Sequence, residues 1–405
     1  MRGRKSSLNG VDVNRLKPQV SIAIFVVAAF AVSAIGQQKK LIYMGIGSPD
    51  SIWMRDHVDE IEQAPFDGTV FYMTTEAGRS KGMVGDFSWS AFGSREFTKS
   101  ELQPGIDALK AAGFHKFTDN FLRVTVAGST DLSDKTFTDW FDSFDVILHN
   151  MNLAAIAVKE GGAKGIYFDP EAYGGPVWDY KKQRDAGTKS FEVYAAQVRH
   201  RGAEVMKAFQ SAYPDITIMF AEGYTLPYRD WWPYPYKPGP HGFPANSASP
   251  DKLKYVPCGL LPAFLDGMAS VATPANKLID GSEGTYTLRT RDEFETYHRA
   301  FTNGVLPIVG IPEQKYHDTF SEAFATWIDV DWRKENGWNA TDFKHNVWQP
   351  KDIQAALKNA LSVSDEYVWL YSESVHFWGP SKNVPEAYWQ AIANAHADIS
   401  AGAAH

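Results

Sequence analysis

Gly165-Ile166-Tyr167-Phe168-Asp169-Pro170-Glu171-Ala172-Tyr173-Gly174-Gly175 is an apolar run of strand length that breaks into two acids, a proline and a pair of glycines. An extended chain sends alternate side chains to opposite faces, so Asp169 and Glu171, two apart, point to one side. Downstream, the run Ile216 to Ala221 continues into Glu222-Gly223-Tyr224, and Lys277 to Ile279 into Asp280-Gly281-Ser282-Glu283. Leu306 to Ile311 continues into Pro312-Glu313, and Tyr367 to Tyr371 into Ser372-Glu373. Upstream, Leu41 to Ile46, Thr69 to Met73 and Phe121 to Val126 are runs of the same kind.

Between these eight runs lie segments with helical spacing: Met54, Val58 and Ile61, then Leu102, Ile106 and Leu109, and later Phe294, Tyr297 and Phe301. Gly113 and Gly304 are placed to stop two of these helices, and Thr290 to cap the start of one. Eight β/α units in one chain predict a (β/α)8 TIM barrel with long βα loops, with an open α/β sheet as the alternative. The Pro- and aromatic-rich stretch Tyr224 to Pro262, including Trp231 and Trp232, reads as a long loop over the fifth strand. A second insertion, through Trp327, Trp332, Trp338 and Trp348, reads as partly helical.

The chain has 405 residues, 44% of them hydrophobic and 22% charged, which is ordinary for a chain that buries one large core. Basic Arg2, Arg4, Lys5, Arg15 and Lys17 precede the apolar stretch Val20 to Ile35, which contains Val32-Ser33-Ala34. That order predicts a signal peptide over residues 1–34, cleaved after Ala34, and a secreted or periplasmic protein with no stable membrane association after cleavage. Residues 35–405 are then a single catalytic domain. The one cysteine, Cys258, leaves no intrachain disulfide and no Cys-based metal cluster. A net charge of −8 without a sustained Lys/Arg run beyond the leader argues against nucleic acid and fits a neutral substrate.

In a barrel of this type the site is built where strands end. A carboxylate at one strand end is equally a helix cap or a loop salt bridge, but acids end five consecutive runs. Glycoside cleavage needs one carboxylic acid to protonate the leaving oxygen and a second carboxylate as nucleophile or as base for water. Glu171 is the expected general acid, tuned by Asp169 or with Asp169 on a sugar hydroxyl; its partner is Glu373, or else Glu222 or Glu313. Tyr173, Trp178, Tyr224, Trp231, Trp232, Asp280, Glu283, Tyr286, His376 and Trp378 follow the strand ends and are the candidate substrate contacts. The 14% aromatic content suits either stacking on sugar faces or a Trp-rich core.

Through these acids and aromatic loops the chain resembles the barrel-type glycoside hydrolases, with no single family identified. The resemblance implies an acid/base Glu after the fourth strand and a nucleophile Glu after the seventh, by position Glu171 and Glu313. Those enzymes usually carry Asn before the acid, where this chain has Pro170. Other chemistries lack their motifs: there is no His-Glu-x-x-His, Ser282 is not flanked as a nucleophile elbow, and Gly45-Ile46-Gly47 is only a fragment of a dinucleotide fingerprint. No metal and no cofactor is expected. The function expected is hydrolysis of a poly- or oligosaccharide by paired carboxylates, with a non-catalytic glycan-binding barrel as the alternative.

Overall fold

The short apolar runs pair side by side, all parallel, because each is followed by a helix that returns the chain to the same edge. The computed structural model describes residues 39–126, 139–171, 173, 175–229, 249–330 and 338–402. The leader 1–34, Trp231, Trp232 and Trp332 lie outside the described residues. The described residues form one compact unit. Among the described residues no helix is long and apolar enough to cross a membrane.

The strands are β1 (Lys40–Gly45), β2 (Gly68–Phe71), β3 (Phe121–Thr125), β4 (Gly165–Asp169), β5 (Thr217–Phe220), β6 (Lys277–Asp280), β7 (Phe320–Glu322), β8 (Phe324–Trp327) and β9 (Tyr367–Ser372). They pair in the order β7-β6-β5-β4-β3-β2-β1-β9-β8. The two ends of that order are one extended run. Only Ala323 separates β7, which pairs with β6, from β8, which pairs with β9, and the Ala323 N–H donates to Asp280 O at 2.8 Å. The sheet therefore closes on itself as a barrel of eight staves.

One strand assignment from sequence is corrected. Leu306–Ile308 forms a 3-10 turn, not the seventh strand, and that strand is the run from Phe320 to Trp327. Pro307, second in the apolar run, fixes φ for a turn and has no N–H to give a ladder. Glu313 consequently opens the helix Glu313–Thr319, largely exposed beside His317, and ends no strand.

Alternation decides which residues meet the lumen. On β4, Ile166 and Phe168 pack outward against the helices while Tyr167 packs inward; on β5, Ile218 and Phe220 pack outward and Met219 inward. The lumen is filled by Ile42, Met44, Val70, Phe121, Tyr167, Met219, Ile279, Tyr367 and Trp369, with Ala323 and Ala325 as the small partners. The expected helix signals operate: Thr98 and Glu101 form a capping box on Lys99–Ala112, which stops at Gly113 with φ 60°, and Thr290 with Glu293 does the same for Arg291–Arg299.

Candidate active site

Above the lumen packing, at the C-terminal ends of the strands, lies a cleft of about 260 Å³. Its walls are Met44, Gly45 and Ile46 from the end of β1, Tyr72 after β2, Trp89 on the helix Asp86–Ser90, and Arg123 on β3. The β4 segment adds Tyr167, Asp169, Glu171 and Tyr173, with Ala221 after β5, Glu283 and Tyr286 after β6, and Tyr371 on β9. Gly45 and Gly47 are explained by close approach: a Cβ on Gly45 would sit 2.4 Å from Ser372 O, and one on Gly47 2.6 Å from His376 Nδ1. These glycines serve the β1–β9 seam at the cleft edge.

Arg123 and Asp169 form an ion pair, with exposures of only 5% and 2%. The guanidinium also donates to Tyr72 Oη at 2.9 Å and Thr125 Oγ1 at 3.1 Å, and stacks with its Cζ 4.5 Å from the centre of the Trp89 ring. Burial works against its charge, but the Tyr72 and Asp169 oxygens outweigh it and hold Arg123 well above its ordinary pKa. Asp169 is thus matched by a fixed cation. Its Oδ1 accepts the Glu171 N–H at 3.0 Å, which orients the chain that carries Glu171.

Glu171 is exposed at the cleft edge and accepts a hydrogen bond from the Tyr173 hydroxyl. Burial, then the charges of Asp169 and Glu171, push the Tyr173 phenol far up, so it stays protonated. A phenol both donates and accepts, and so serves either protonation state of Glu171. Two staves from β4, Glu283 follows β6 and bonds the Tyr286 hydroxyl; burial, then the Glu283 charge, hold that phenol well above its ordinary value. Tyr286 stacks on Tyr371 at 5.5 Å and meets Trp369 edge-on at 5.5 Å.

Glu283 is aimed by an unusual turn. Ser282, directly before it, has φ 47°, the left-handed region that non-glycine residues rarely occupy and that costs of the order of 1–3 kcal/mol. The turn is bracketed from outside the barrel wall. The Ser282 N–H donates to Asp280 Oδ1 at 3.1 Å, and its hydroxyl to Glu322 Oε1 at 3.2 Å. Glu322, fully buried on β7, bonds His298 Nδ1 through Oε2 at 2.8 Å.

Burial raises the Glu322 pKa to about 8 against the opposing pull of His298, and the hydrogen bond to Glu322 raises His298 in turn. The folded pair therefore keeps a proton that the unfolded chain releases near the ordinary Glu value of 4.5. Its contribution to stability is full below that value and is lost as pH rises toward 8. The melting temperature is expected to fall as pH rises from about 5 to about 9, and Glu322→Gln to flatten that slope. An unchanged slope in the variant would assign the pH dependence elsewhere.

Asp169, Glu171, Tyr173, Glu283 and Tyr286 come together in the cleft. Glu373 lies just beyond its walls, exposed, accepting from the Tyr371 hydroxyl at 3.3 Å, while its N–H donates to Asp329. Glu222 is buried and is not a cleft wall; the lumen-facing residue there is its neighbour Ala221. Asp280 is wholly buried and clamps the loop after β5, accepting from Gly223 N at 2.9 Å, Thr225 N at 3.1 Å and Thr225 Oγ1 at 2.9 Å.

Trp178 holds the β4 loop by donating to Pro170 O at 2.6 Å, Tyr224 donates to buried Asp266 at 2.7 Å, and Trp378 donates to Gly47 O at 3.1 Å. His376 packs on Gly47 and is tied through its N–H to Asn383 at 2.8 Å. These four support loops and the core and do not face the cleft. Tyr72, Trp89, Arg123, Tyr167 and Tyr371 are cleft walls beyond those expected from the sequence. Arg123 had a signal in sequence, being a charge inside the apolar run Phe121 to Val126. Tyr167 had one too, lying two residues before Asp169 and so on the same face.

No family model matches the sequence, and no curated protein matches it. Solved structures similar to this chain include the catalytic domain of a hyperthermophilic chitinase from Pyrococcus furiosus, at 8% identity and a TM-score of 0.43, covering 91% of this chain and 99% of that one. A glucosidase from Croceicoccus marinus aligns at 13% identity and a TM-score of 0.43, covering 90% of this chain and 69% of that one. A β-mannanase from the blue mussel Mytilus edulis aligns at 9% identity and a TM-score of 0.41, covering 89% of this chain and 93% of that one.

Proposed function

We propose that the chain is a glycoside hydrolase acting on a poly- or oligosaccharide, with Glu171 as general acid and Glu283 as the second carboxylate. The observation that carries this reading is that these two acids, from β4 and β6, line one cleft at the strand ends. Glycoside cleavage needs two carboxyl groups with separate duties. Asp169, neutralised by Arg123, is freed from both and serves to orient Glu171. Glu283 replaces the partners expected from sequence, because Glu313 and Glu222 are not cleft walls and Glu373 stands outside them.

Tyr72, Trp89, Tyr173, Tyr286 and Tyr371 give the cleft flat amphipathic walls of the kind that pair an apolar face with a polar edge. About 260 Å³ is at the small end for a ligand pocket, which suits a short stretch of glycan held inward while the rest runs over exposed Ile46 and Tyr173. The leader over residues 1–34 would deliver the enzyme outside the cytoplasm, where polymeric glycans are met. The test is release of reducing ends from a panel of neutral polysaccharides by the purified protein, with the anomer of the product followed by NMR. Release is expected from at least one polymer. Glycan binding without release would replace the enzyme by a binding barrel.

A further inference from the structure

Tyr167 lies on β4 in the lumen cluster, its side chain wholly buried and its ring 5.8 Å from that of Trp369. It lines the cleft, and among the described residues its hydroxyl has no hydrogen-bond partner. The donors beside it are engaged. Arg123, its register partner on β3, gives its donors to Tyr72, Thr125 and Asp169, and Trp369 Nε1 donates to Gly281 O at 2.7 Å. Burial, then the charges of Glu283 and Asp169, keep the Tyr167 phenol protonated, so it offers one donor and one acceptor on neutral oxygen.

A buried hydroxyl left without a partner is destabilising, and phenylalanine would fill the same space without that cost. The group is paired only when something enters the cleft. We propose that the Tyr167 hydroxyl is a specificity-determining contact that reads one hydroxyl of the sugar ring seated in the cleft. The inference rests on the glycan reading and narrows its substrate: the sugar must carry a free hydroxyl on the carbon that faces the lumen. A derivative that lacks this hydroxyl leaves Tyr167 buried and unpaired and is rejected, as sites built around a substrate hydroxyl do.

The test is calorimetric titration of the wild-type protein and Tyr167→Phe with glucose, galactose and mannose, and with the monodeoxy derivatives of whichever binds. The wild type is expected to bind one deoxy derivative about tenfold more weakly than its parent, and Tyr167→Phe to bind the two alike. The variant is also expected to melt at the wild-type temperature or above, since an unpaired group has been removed. A deoxy penalty that persists in Tyr167→Phe overturns the proposal and leaves the glycan reading standing. So does a clear drop in melting temperature, which would place the partner of the hydroxyl within the protein. No binding of any sugar by the wild type removes the glycan reading and this proposal together.

Discussion

Glu171→Gln is expected to lower turnover by about 10²–10⁴-fold while the fold and glycan binding persist, because a positioned general acid contributes that much. The side chain is exposed, so removing its charge uncovers no buried group, and the amide oxygen still accepts from Tyr173. The loss should depend on the leaving group. An aryl glycoside whose phenol departs readily as an anion needs little proton donation, so its hydrolysis should fall far less than that of a natural linkage. Glu283→Gln should show no such rescue, since a nucleophile or base is required whatever leaves. Steady-state rates of both variants on natural and activated substrates separate the two roles. Unchanged turnover in Glu171→Gln on a natural linkage would remove Glu171 from the mechanism.

Arg123→Met is expected to cost about 3–5 kcal/mol of stability, the penalty for leaving a buried partner charge unmatched. The effect is large because both members of the pair lie inside the barrel mouth and not on its surface. Asp169→Asn in the same chain should recover most of the loss: asparagine keeps an oxygen for the Glu171 N–H and carries no charge to strand. Denaturant unfolding of the wild type, both single variants and the double variant measures the coupling directly. A loss below about 1 kcal/mol in Arg123→Met would mean that Asp169 is held by something other than the guanidinium.

The barrel was legible wherever a strand supplied its own apolar residues. It was illegible at the seventh stave because Phe320-Ser321-Glu322-Ala323-Phe324-Ala325-Thr326-Trp327 borrows bulk from its neighbour. Ala323 and Ala325 face the lumen, where Trp369 fills the space, and Glu322 is buried behind the wall with His298 as partner. A strand with small inner residues and one acid does not read as a strand. Leu306 to Ile311 reads as one, yet it belongs to the helical layer, where Val309 and Ile311 pack against the outer core.

The same face problem governed the site. Asp169 follows inward-facing Tyr167 by two residues and reaches the cleft, whereas Glu222 follows Ala221, and Asp280 follows Ile279, by one. Both of the latter are therefore carried away from it. Strands covered on both sides are apolar on both faces, so on β5 and β6 nothing in the sequence marks which parity looks inward. Glu283 escapes the rule because it stands beyond the strand, turned inward at Ser282 by a backbone angle that no residue type announced.

Ala325 lies directly beside Trp369 across the β8–β9 pairing, and Trp369 in turn supports Tyr167 and Tyr286 from below. The depth of the cleft is therefore a matter of volume inside the barrel. A larger residue at position 325 would press the indole toward the cleft and make it shallower, and would do so without touching a single wall. Two chains with identical sugar-facing residues would then admit glycans of different reach, and the difference would lie in a methyl group that the substrate never meets.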